Sequence, residues 1–436
     1  MNHSLSIVIL AAGKGTRMKS NTPKVLHKIA NKEMILHVID ACIKLKPKKI
    51  YVVLGSNSNN IINILPKKNV KIIIQENQLG TAHALLCAQE FLKKKKGKLL
   101  VLYGDVPLLE PKTLKKLAYS KYNDISMLGF SPKDPKGYGR VKFQNNKVSE
   151  VIEEKDLNSE ESKLNICYSG IFAGDVNTIF KLMGKIKKNN THNEFLLTDI
   201  FRLASKENNA ASLVLASEYE VIGVNNFYQL SLAEEYFQNK IRKKFLLKGD
   251  LMKDPRSVFF SHDTKVASNV KIDINNNFGE GVVIKSLVHI NSNNNIEYTI
   301  INEGAKVGPF SRLRDNVILG KKVKIGNFVE VKNSKIGDGS KINHLTYIGD
   351  SIIGSNTNIG AGTITCNYDG KNKNKTIIGD NVFVGSNCSL IAPIEIGNHS
   401  FIAAGSAISD NVKMKDFSIA RAKQKIIKDG SKKFLK

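Results

Sequence analysis

The sequence predicts an α/β chain in two parts: a Rossmann-like, doubly wound domain over residues 1–226 and, beyond a linker helix, a parallel β-solenoid of six-residue repeats. Three observations carry this. Short apolar runs alternate with helical patterns in the first half, a glycine-rich loop follows the first run, and aliphatic residues recur at steps of six beyond Pro255.

The apolar runs Ile7 to Leu10, Ile50 to Leu54, Val70 to Ile74 and Leu99 to Tyr103 read as buried strands. Strands separated by helical stretches imply parallel pairing with helices on both faces, and ligands of such sheets sit at the carboxyl ends of the strands. Over residues 227–248, Leu230, Ala233, Phe237, Ile241 and Phe245 keep helical spacing with no Gly or Pro before Gly249, which predicts one amphipathic linker helix.

In the stretch 249–412 the period changes. Val307, Leu313, Leu319, Ile325 and Val331 are six apart, with steps of five to Ile336 and Ile353 among Ile342, Ile348 and Ile359. A second run, Ile378, Val384, Leu390, Ile396, Ile402 and Ile408, is six-spaced throughout. Each hexad forms one flat face and points its aliphatic residue into a stacked core, so three hexads per coil give a triangular prism. The polar segment TITCNYDGKNKNK between the runs predicts a projecting loop. From about 258 to 300 the pattern reads as ragged, above all in NINSNNNIE (Ile290 to Glu297). Residues 413–436 carry nine basic and two acidic residues and are expected to form a partly disordered tail or to cover an anionic ligand.

A chain of 436 residues, 42% hydrophobic, builds its cores without staples. Its five cysteines show no C-x-x-C spacing, which argues against a zinc knuckle and a disulfide framework and favours a reducing compartment. No window approaches the roughly 18 uninterrupted apolar residues of a membrane span, and the N-terminus shows no signal-peptide pattern. The reading is a cytoplasmic protein with no membrane partner. The formal charge of +27 raises nucleic acid, but the lysines are scattered and tryptophan is absent, so a solvated basic surface is the better reading.

The loop LAAGKGTRMKSNTPKVL (Leu10 to Leu26) is neither G-x-G-x-x-G nor G-x-x-x-x-G-K-[ST]. A glycine turn leaving a strand lets backbone N–H groups face an anion, and Arg17 and Lys24 add charge, with Pro23 fixing the chain that presents the lysine. The alternative is an ordinary tight turn into a helix. LLVLYGDVPLL (Leu99 to Leu109) closes a strand with Asp105 at the same sheet edge, a hard oxygen donor suited to Mg²⁺ beside a triphosphate.

LAAGKGTRM, PKVLH, QLGTAHA, YGDVPL, GYGR and GVNN together resemble the sugar-1-phosphate nucleotidylyltransferases. With HLTYIGD and NIGAGTITCNYDGKNK in the repeat region, nearly the whole chain resembles the bacterial bifunctional N-acetylglucosamine-1-phosphate uridylyltransferases and glucosamine-1-phosphate acetyltransferases. The resemblance implies a nucleotidyltransferase domain followed by a left-handed parallel β-helix. It implies acetylation of glucosamine 1-phosphate from acetyl-CoA, then transfer of uridylyl from UTP, supplying cell-wall and lipopolysaccharide precursors. It implies Mg²⁺ as the metal, small-molecule substrates as partners, and a homotrimer formed through the β-helix, with the acetyl-transfer site shared between subunits.

Residue by residue, the resemblance implies that Ala12, Gly13, Lys24, Gln75, Gly80 and Thr81 hold the uridine nucleotide, with Arg17 on its phosphates and Tyr103 beside them. Asp105 and Asn225 match the Mg²⁺ ligands. Gly139 and Glu153 match the sugar side, as do Glu194 and Thr198 in NEFLLTD, and Tyr168 stands at a sugar-side position. In the repeat region His344 matches the general base, although a lone histidine is by itself more often structural. Arg314, Lys332, Tyr347, Asn358 and Lys373 match the sugar-phosphate side. Asn367, Tyr368, Ser386, Ala404 and Arg421 match acetyl-CoA positions, with Lys373 counted on both sides.

Two departures stand out. Tyr168-Ser169-Gly170 occupies a place where the family usually reads Asn-Ser-Gly or Asn-Thr-Gly, so a bulkier side chain is expected to face the sugar. Asp315 follows Arg314 where the family usually has proline. Three other readings stay open at this level: a uridylyltransferase whose solenoid is only a trimerising scaffold, another hexose-1-phosphate nucleotidylyltransferase, and a nucleotide-sugar sensor without activity. The first keeps one reaction, the second leaves CNYDGKNK unexplained, and the third has no need of both Asp105 and Asn225.

Overall fold

A computed structural model describes residues 4–13, 15–66, 69–92, 96–120, 125–145, 147–187 and 195–435. The chain folds into two compact units, Met1–Phe237 and Gln238–Lys436.

The first unit is built on one nine-stranded sheet. Its strands are β1 (Leu5–Leu10), β2 (Lys49–Gly55), β3 (Val70–Gln75), β4 (Lys98–Tyr103), β5 (Ile125–Phe130), β6 (Arg140–Gln144), β7 (Lys147–Ile152), β8 (Cys167–Asp175) and β9 (Ser212–Leu215). The order across the main path is β9-β5-β8-β4-β1-β2-β3. β1 pairs in parallel with both β2 and β4, so the chain winds in one direction from β1 to β3 and then crosses to the other side at β4. A crevice therefore opens beyond the carboxyl ends of β1 and β4, where loop residues meet no further strand. Ile7 and Ile9 enter the core on one face of the sheet and Val8 and Leu10 the core on the other, which is why β1 reads as a continuous apolar run.

One strand departs from the expected parallel alternation. β8 runs antiparallel to both β4 and β5, because the chain returns to it from the β6–β7 hairpin rather than through a crossover helix. The linker appears as the helix Phe227–Leu247. Ala233 joins a cluster with Ile29 and Met34 of the first unit, while Phe245 belongs to the core of the second.

The second unit is a triangular solenoid of three parallel sheets. One wall contains Lys306–Val307, Lys324–Asn327, Lys341–His344 and Asn358–Ile359; the second contains Arg312–Arg314, Glu330–Lys332, Tyr347–Gly349 and Ile364–Cys366; the third contains Thr299–Ile301, Val317–Leu319, Lys335–Ile336, Ser351–Ile353 and Thr376–Ile378. All sixteen aliphatic residues of the two sequence runs are buried, none more than 3% exposed. Burial of each contributes roughly 1.5–3 kcal/mol. Lys306 pairs with Lys324 and Lys324 with Lys341, so successive coils take 18 and 17 residues. The steps of five are thus coils shortened by one residue at a corner.

The ragged early coils prove regular. Ile290 and Ile296 are fully buried, and the pattern was obscured by asparagines with a structural task. Asn276 and Asn294 lie inside the prism, where the Asn294 Nδ2 donates to Asn276 Oδ1 (2.9 Å) and Asn276 Nδ2 donates to the Asn291 carbonyl (2.9 Å). Asn269, Asn275 and Asn293 turn corners in the left-handed region, which asparagine tolerates. The basic tail also starts later than expected, since Phe417–Ser418 pairs with Phe401–Ile402 and extends the first wall.

Candidate functional sites

In the first unit, a cavity of about 390 Å³ lies at the carboxyl ends of β1 and β4. Ala12, Gly13, Arg17, Lys24, Gln75, Gly80, Thr81, Tyr103, Asp105 and Asn225 all line it, so residues more than 200 positions apart in sequence meet at one place. Local geometry explains the glycines. Gly15 has φ +64, and a Cβ there would lie 2.8 Å from the Lys24 Cβ, so only glycine lets the loop pass the lysine. Gly80 has φ +112, and a Cβ would meet the Phe195 carbonyl oxygen at 2.6 Å.

The charged floor is tightly organised. The Lys24 ammonium bonds the Asp105 carboxylate and also donates to Asn225 Oδ1 at 2.9 Å, to which Arg17 Nη2 donates at 2.8 Å. Val224 N donates to the Asp105 carbonyl (2.9 Å), which brings Asn225 beside the end of β4. Asn225 Nδ2 donates to the Gly223 carbonyl at 3.1 Å, so its oxygen is the atom turned to the cations. Two hard oxygens therefore converge on one positive charge. Among the described residues no group of three or more His, Cys, Asp or Glu forms a metal cluster.

Gln78, the first residue of QLGTAHA but given no role there, also lines the cavity and donates to the Ala12 carbonyl, fixing the glycine loop. Its signal was the polar QENQLG turn after β3. Tyr103 is hydrogen-bonded to Thr81, and burial, opposed by that bond, pushes its phenol far above the ordinary value.

The sugar-side residues lie elsewhere in the first unit. Glu153 and Thr198 line a second, polar cavity of about 200 Å³ with Glu150, Asp156, Asp199 and Arg202, and Thr198 Oγ1 donates to Glu153 Oε1 at 3.0 Å. Gly139 accepts from Tyr168 N through its carbonyl (2.9 Å). The Tyr168 side chain is 8% exposed and sits edge-on to Phe201, its ring centroid 5.1 Å away, lining neither cavity. The expectation that this ring faces a sugar is corrected: at this strand position the ring turns into the apolar core beneath. Its hydroxyl has no hydrogen-bond partner among the described residues, and burial raises its pKa well above the usual phenol value. Glu194 lies outside the described residues.

In the solenoid, His344 ends a strand of the first wall directly above Asn327 of the coil below. With Asn327 Oδ1 as the acceptor, the 2.7 Å contact from His344 Nδ1 favours the neutral tautomer whose lone pair lies on Nε2. Asn327 was not singled out in the sequence; only the coil register reveals it.

Around the adjoining corner, Arg314, Lys332 and Tyr347 belong to successive strands of the second wall. Lys332 is only 8% exposed and contacts Lys373 of the polar loop; that contact, and then burial, lower its pKa below the ordinary lysine value. Arg314 Nε donates to Glu330 (2.7 Å) and Nη1 to Asp315 (2.8 Å). Asn358 stands on the first wall rather than among these cations.

The inserted loop is ordered by Asp369, which accepts from Lys371 N (2.8 Å), Asn372 N (2.7 Å) and Asn374 Nδ2 (3.0 Å). Within it Asn367 is buried and bonded to Asp350, whereas Tyr368 is exposed and donates to the Gly370 carbonyl at 2.7 Å. Ser386 and Ala404 occupy the same corner on successive coils, Ser386 O accepting from Gly405 N (2.8 Å), and Arg421 Nη1 donates to the Ala404 carbonyl at 2.8 Å.

A cationic cradle at the switch point of a parallel sheet, together with a hexad solenoid that carries a histidine and a cationic cluster, is the arrangement of a nucleotidyltransferase fused to an acyltransferase. Matches to known families agree: residues 7–136 match the MobA-like NTP transferase domain, residues 295–392 the GMPPB C-terminal domain, and residues 375–410 the bacterial transferase hexapeptide of six repeats, the left-handed parallel β-helix. The chain is 43% identical to the bifunctional protein GlmU of Zymomonas mobilis, covering 98% of this chain and 97% of that one. It is 42% identical to the GlmU of Buchnera aphidicola, over 94% of each chain, and 39% identical to that of Clostridium beijerinckii, over 96% of each. The chain belongs to the bifunctional GlmU family, an enzyme with uridylyltransferase and acetyltransferase activities.

Proposed function

We propose that the solenoid acetylates glucosamine 1-phosphate from acetyl-CoA and that the first unit then transfers uridylyl from UTP to the N-acetylglucosamine 1-phosphate formed, with each step carried by the residues grouped above. The observation that carries the first unit's role is the single cavity that gathers Arg17, Lys24, Asp105 and Asn225 at the carboxyl ends of β1 and β4.

In uridylyl transfer, a phosphate oxygen of the sugar attacks the α-phosphorus of UTP as the bond to the bridging oxygen breaks in line. The departing pyrophosphate meets the Arg17 guanidinium and Lys24 ammonium. No general base takes part, since the attacking phosphate is already ionised. The Asp105 carboxylate and Asn225 Oδ1, already converging on the Lys24 cation, are the hard donors that Mg²⁺ takes alongside phosphate oxygens and water. Held there, Mg²⁺ would supply neutralisation of the phosphate charge and would leave the Lys24 ammonium free to pair with the phosphates. Glu153, Thr198 and Gly139 border the sugar side, with Tyr168 shaping it from beneath.

In acetyl transfer, Arg314, Lys332, Tyr347 and Lys373 hold the sugar phosphate, with Asn358 bordering from the first wall. The sugar nitrogen attacks the thioester carbonyl while His344 Nε2 takes its proton. The C–S bond breaks, the carbonyl re-forms, and the CoA thiolate departs beside Ser386 with Ala404, Arg421, Asn367 and Tyr368 along the acetyl-CoA track.

We further propose a homotrimer in the cytoplasm, where UTP and acetyl-CoA are made. Five cysteines that are all free suit that compartment, and no helix of the described residues is long and apolar enough to cross a membrane. On the third wall the outward residues follow one register, Val283, Ile300, Ile318, Lys335, Ile352 and Ile377, and this column is nearly all aliphatic. Ile352 is 45% exposed and Ile300 38%, an apolar stripe suited to burial against another copy. Ile352→Glu is expected to convert trimers to monomers in light scattering and to remove acetyl transfer but not uridylyl transfer; a trimeric variant would refute this contact.

The function is tested by incubating the protein with glucosamine 1-phosphate, acetyl-CoA, UTP and Mg²⁺ while following free thiol and pyrophosphate. Both should appear, with pyrophosphate dependent on acetyl-CoA. Pyrophosphate only from supplied N-acetylglucosamine 1-phosphate, without thiol, would reduce the solenoid to a scaffold.

A further inference from the structure

The cationic cluster of the solenoid contains a carboxylate that phosphate binding does not call for. Asp315 occupies the corner directly after Arg314 with φ +60, and Asn316 follows with φ +68. Proline fixes φ near −65°, so the proline usual in the family cannot take this backbone, whereas Asp and Asn tolerate the left-handed region. The corner is therefore built differently here, and its geometry returns the Asp315 carboxylate to the Arg314 guanidinium at 2.8 Å.

Two consequences follow from charge and donor count. Arg314 has five N–H donors in a rigid fork; Glu330 takes Nε–H and Asp315 takes one Nη1–H, which leaves the remainder for an incoming phosphate and fixes the plane in which they point. The cations Arg314, Lys332 and Lys373 are matched by the carboxylates Asp315, Glu330 and Asp350, so the cradle's own charges balance. Asp350 is tied down by Asn333 (2.6 Å) and by Asn367, and Glu330 is bonded to Arg314 within the wall. Asp315 is the rim member, its side chain 46% exposed, and its field also reaches Lys373.

We propose that Asp315 is a positioning residue of the acetyl-transfer half: it aims the Arg314 fork and offsets one cationic charge of the phosphate cradle, so that sugar phosphates bind more weakly than the cations alone would dictate. This rests on the reading that the cradle receives the phosphate of glucosamine 1-phosphate. A weaker ground state leaves more of the binding interaction to be realised during reaction and lets the acetylated sugar phosphate leave for the next step.

Asp315→Asn separates charge from aim, because an amide oxygen still accepts from Arg314 and asparagine keeps the left-handed corner. Its KM for glucosamine 1-phosphate is expected to fall about three- to tenfold, with a smaller change in kcat, and inorganic phosphate should bind more tightly by a similar factor in calorimetry. Asp315→Ala, which loses the aim as well, should gain less than the asparagine variant. An unchanged or raised KM in Asp315→Asn, with phosphate affinity also unchanged, overturns the proposal. Should the wild-type protein show no acetyl transfer at all, the acetyltransferase reading of the cradle fails instead, and phosphate calorimetry on the same two proteins still decides the role of Asp315.

Discussion

Asp105→Ala is expected to lower pyrophosphate release from UTP and N-acetylglucosamine 1-phosphate by at least about a thousandfold, while thiol release from acetyl-CoA stays at the wild-type rate. The size of the effect follows from what the carboxylate touches. It is the anionic partner of Lys24, side-chain exposures being 14% for the lysine and 17% for the aspartate, and with Asn225 it forms the only pair of hard oxygens facing the cations among the described residues of this cavity. Without it the Lys24 ammonium loses its anchor and Mg²⁺ loses its charged ligand, so neither reaches the phosphates in position. The fold is not at stake, because Asp105 holds Val224 through its backbone carbonyl, which the substitution keeps. Acetyl transfer is spared because its residues belong to the other unit, with a separate core. Continued synthesis of UDP-sugar at a comparable rate would remove Asp105 and Asn225 from the metal assignment.

How much of this was legible without coordinates depends on which physical signal carried it. Buried parallel strands announce themselves as apolar runs, so β1, β2 and β4 and the crevice beyond them were readable, whereas β3, also read as buried, is the sheet's edge strand with Ile74 40% exposed. Inward aliphatic residues at six-residue steps likewise gave the prism. Hydrophobicity is blind to polar residues that do structural work, and this hid the early coils, where Asn276 and Asn294 bond to each other inside the prism. It is equally blind to the direction of β8, set by a hairpin upstream, and to the inward turn of the Tyr168 ring. Partnerships across coils were the hardest to foresee. Asn327 under His344 and Glu330 beside Arg314 emerge only once the register of 17 or 18 residues per coil is known. Motif resemblance named residues for chemistry but gave no role to Gln78, which opens the QLGTAHA motif and holds the glycine loop through the Ala12 carbonyl.

Replacing His344 by alanine should remove acetyl transfer by about a hundred- to ten-thousandfold, the range over which a positioned general base acts, and leave uridylyl transfer from N-acetylglucosamine 1-phosphate untouched. A histidine can serve as base only with a lone pair available on the nitrogen that meets the substrate. Asn327 serves that in the neutral ring, since its amide oxygen, as acceptor from Nδ1 at 2.7 Å, favours the tautomer whose lone pair lies on Nε2. The coil register places the two residues one above the other, so the hydrogen bond is a product of the solenoid's rise rather than of local sequence. Asn327→Ala should therefore lose acetyl transfer by a smaller factor, on the order of tenfold, because the imidazole keeps its place in the strand but samples both tautomers and more than one ring orientation. His344→Ala combined with Asn327→Ala should be no worse than His344→Ala alone, since the asparagine acts only through the ring it orients. If the double variant were clearly slower than His344→Ala, Asn327 would have a contact of its own with the substrate, and if His344→Ala retained near-normal thiol release, the base would have to be sought elsewhere on the second wall.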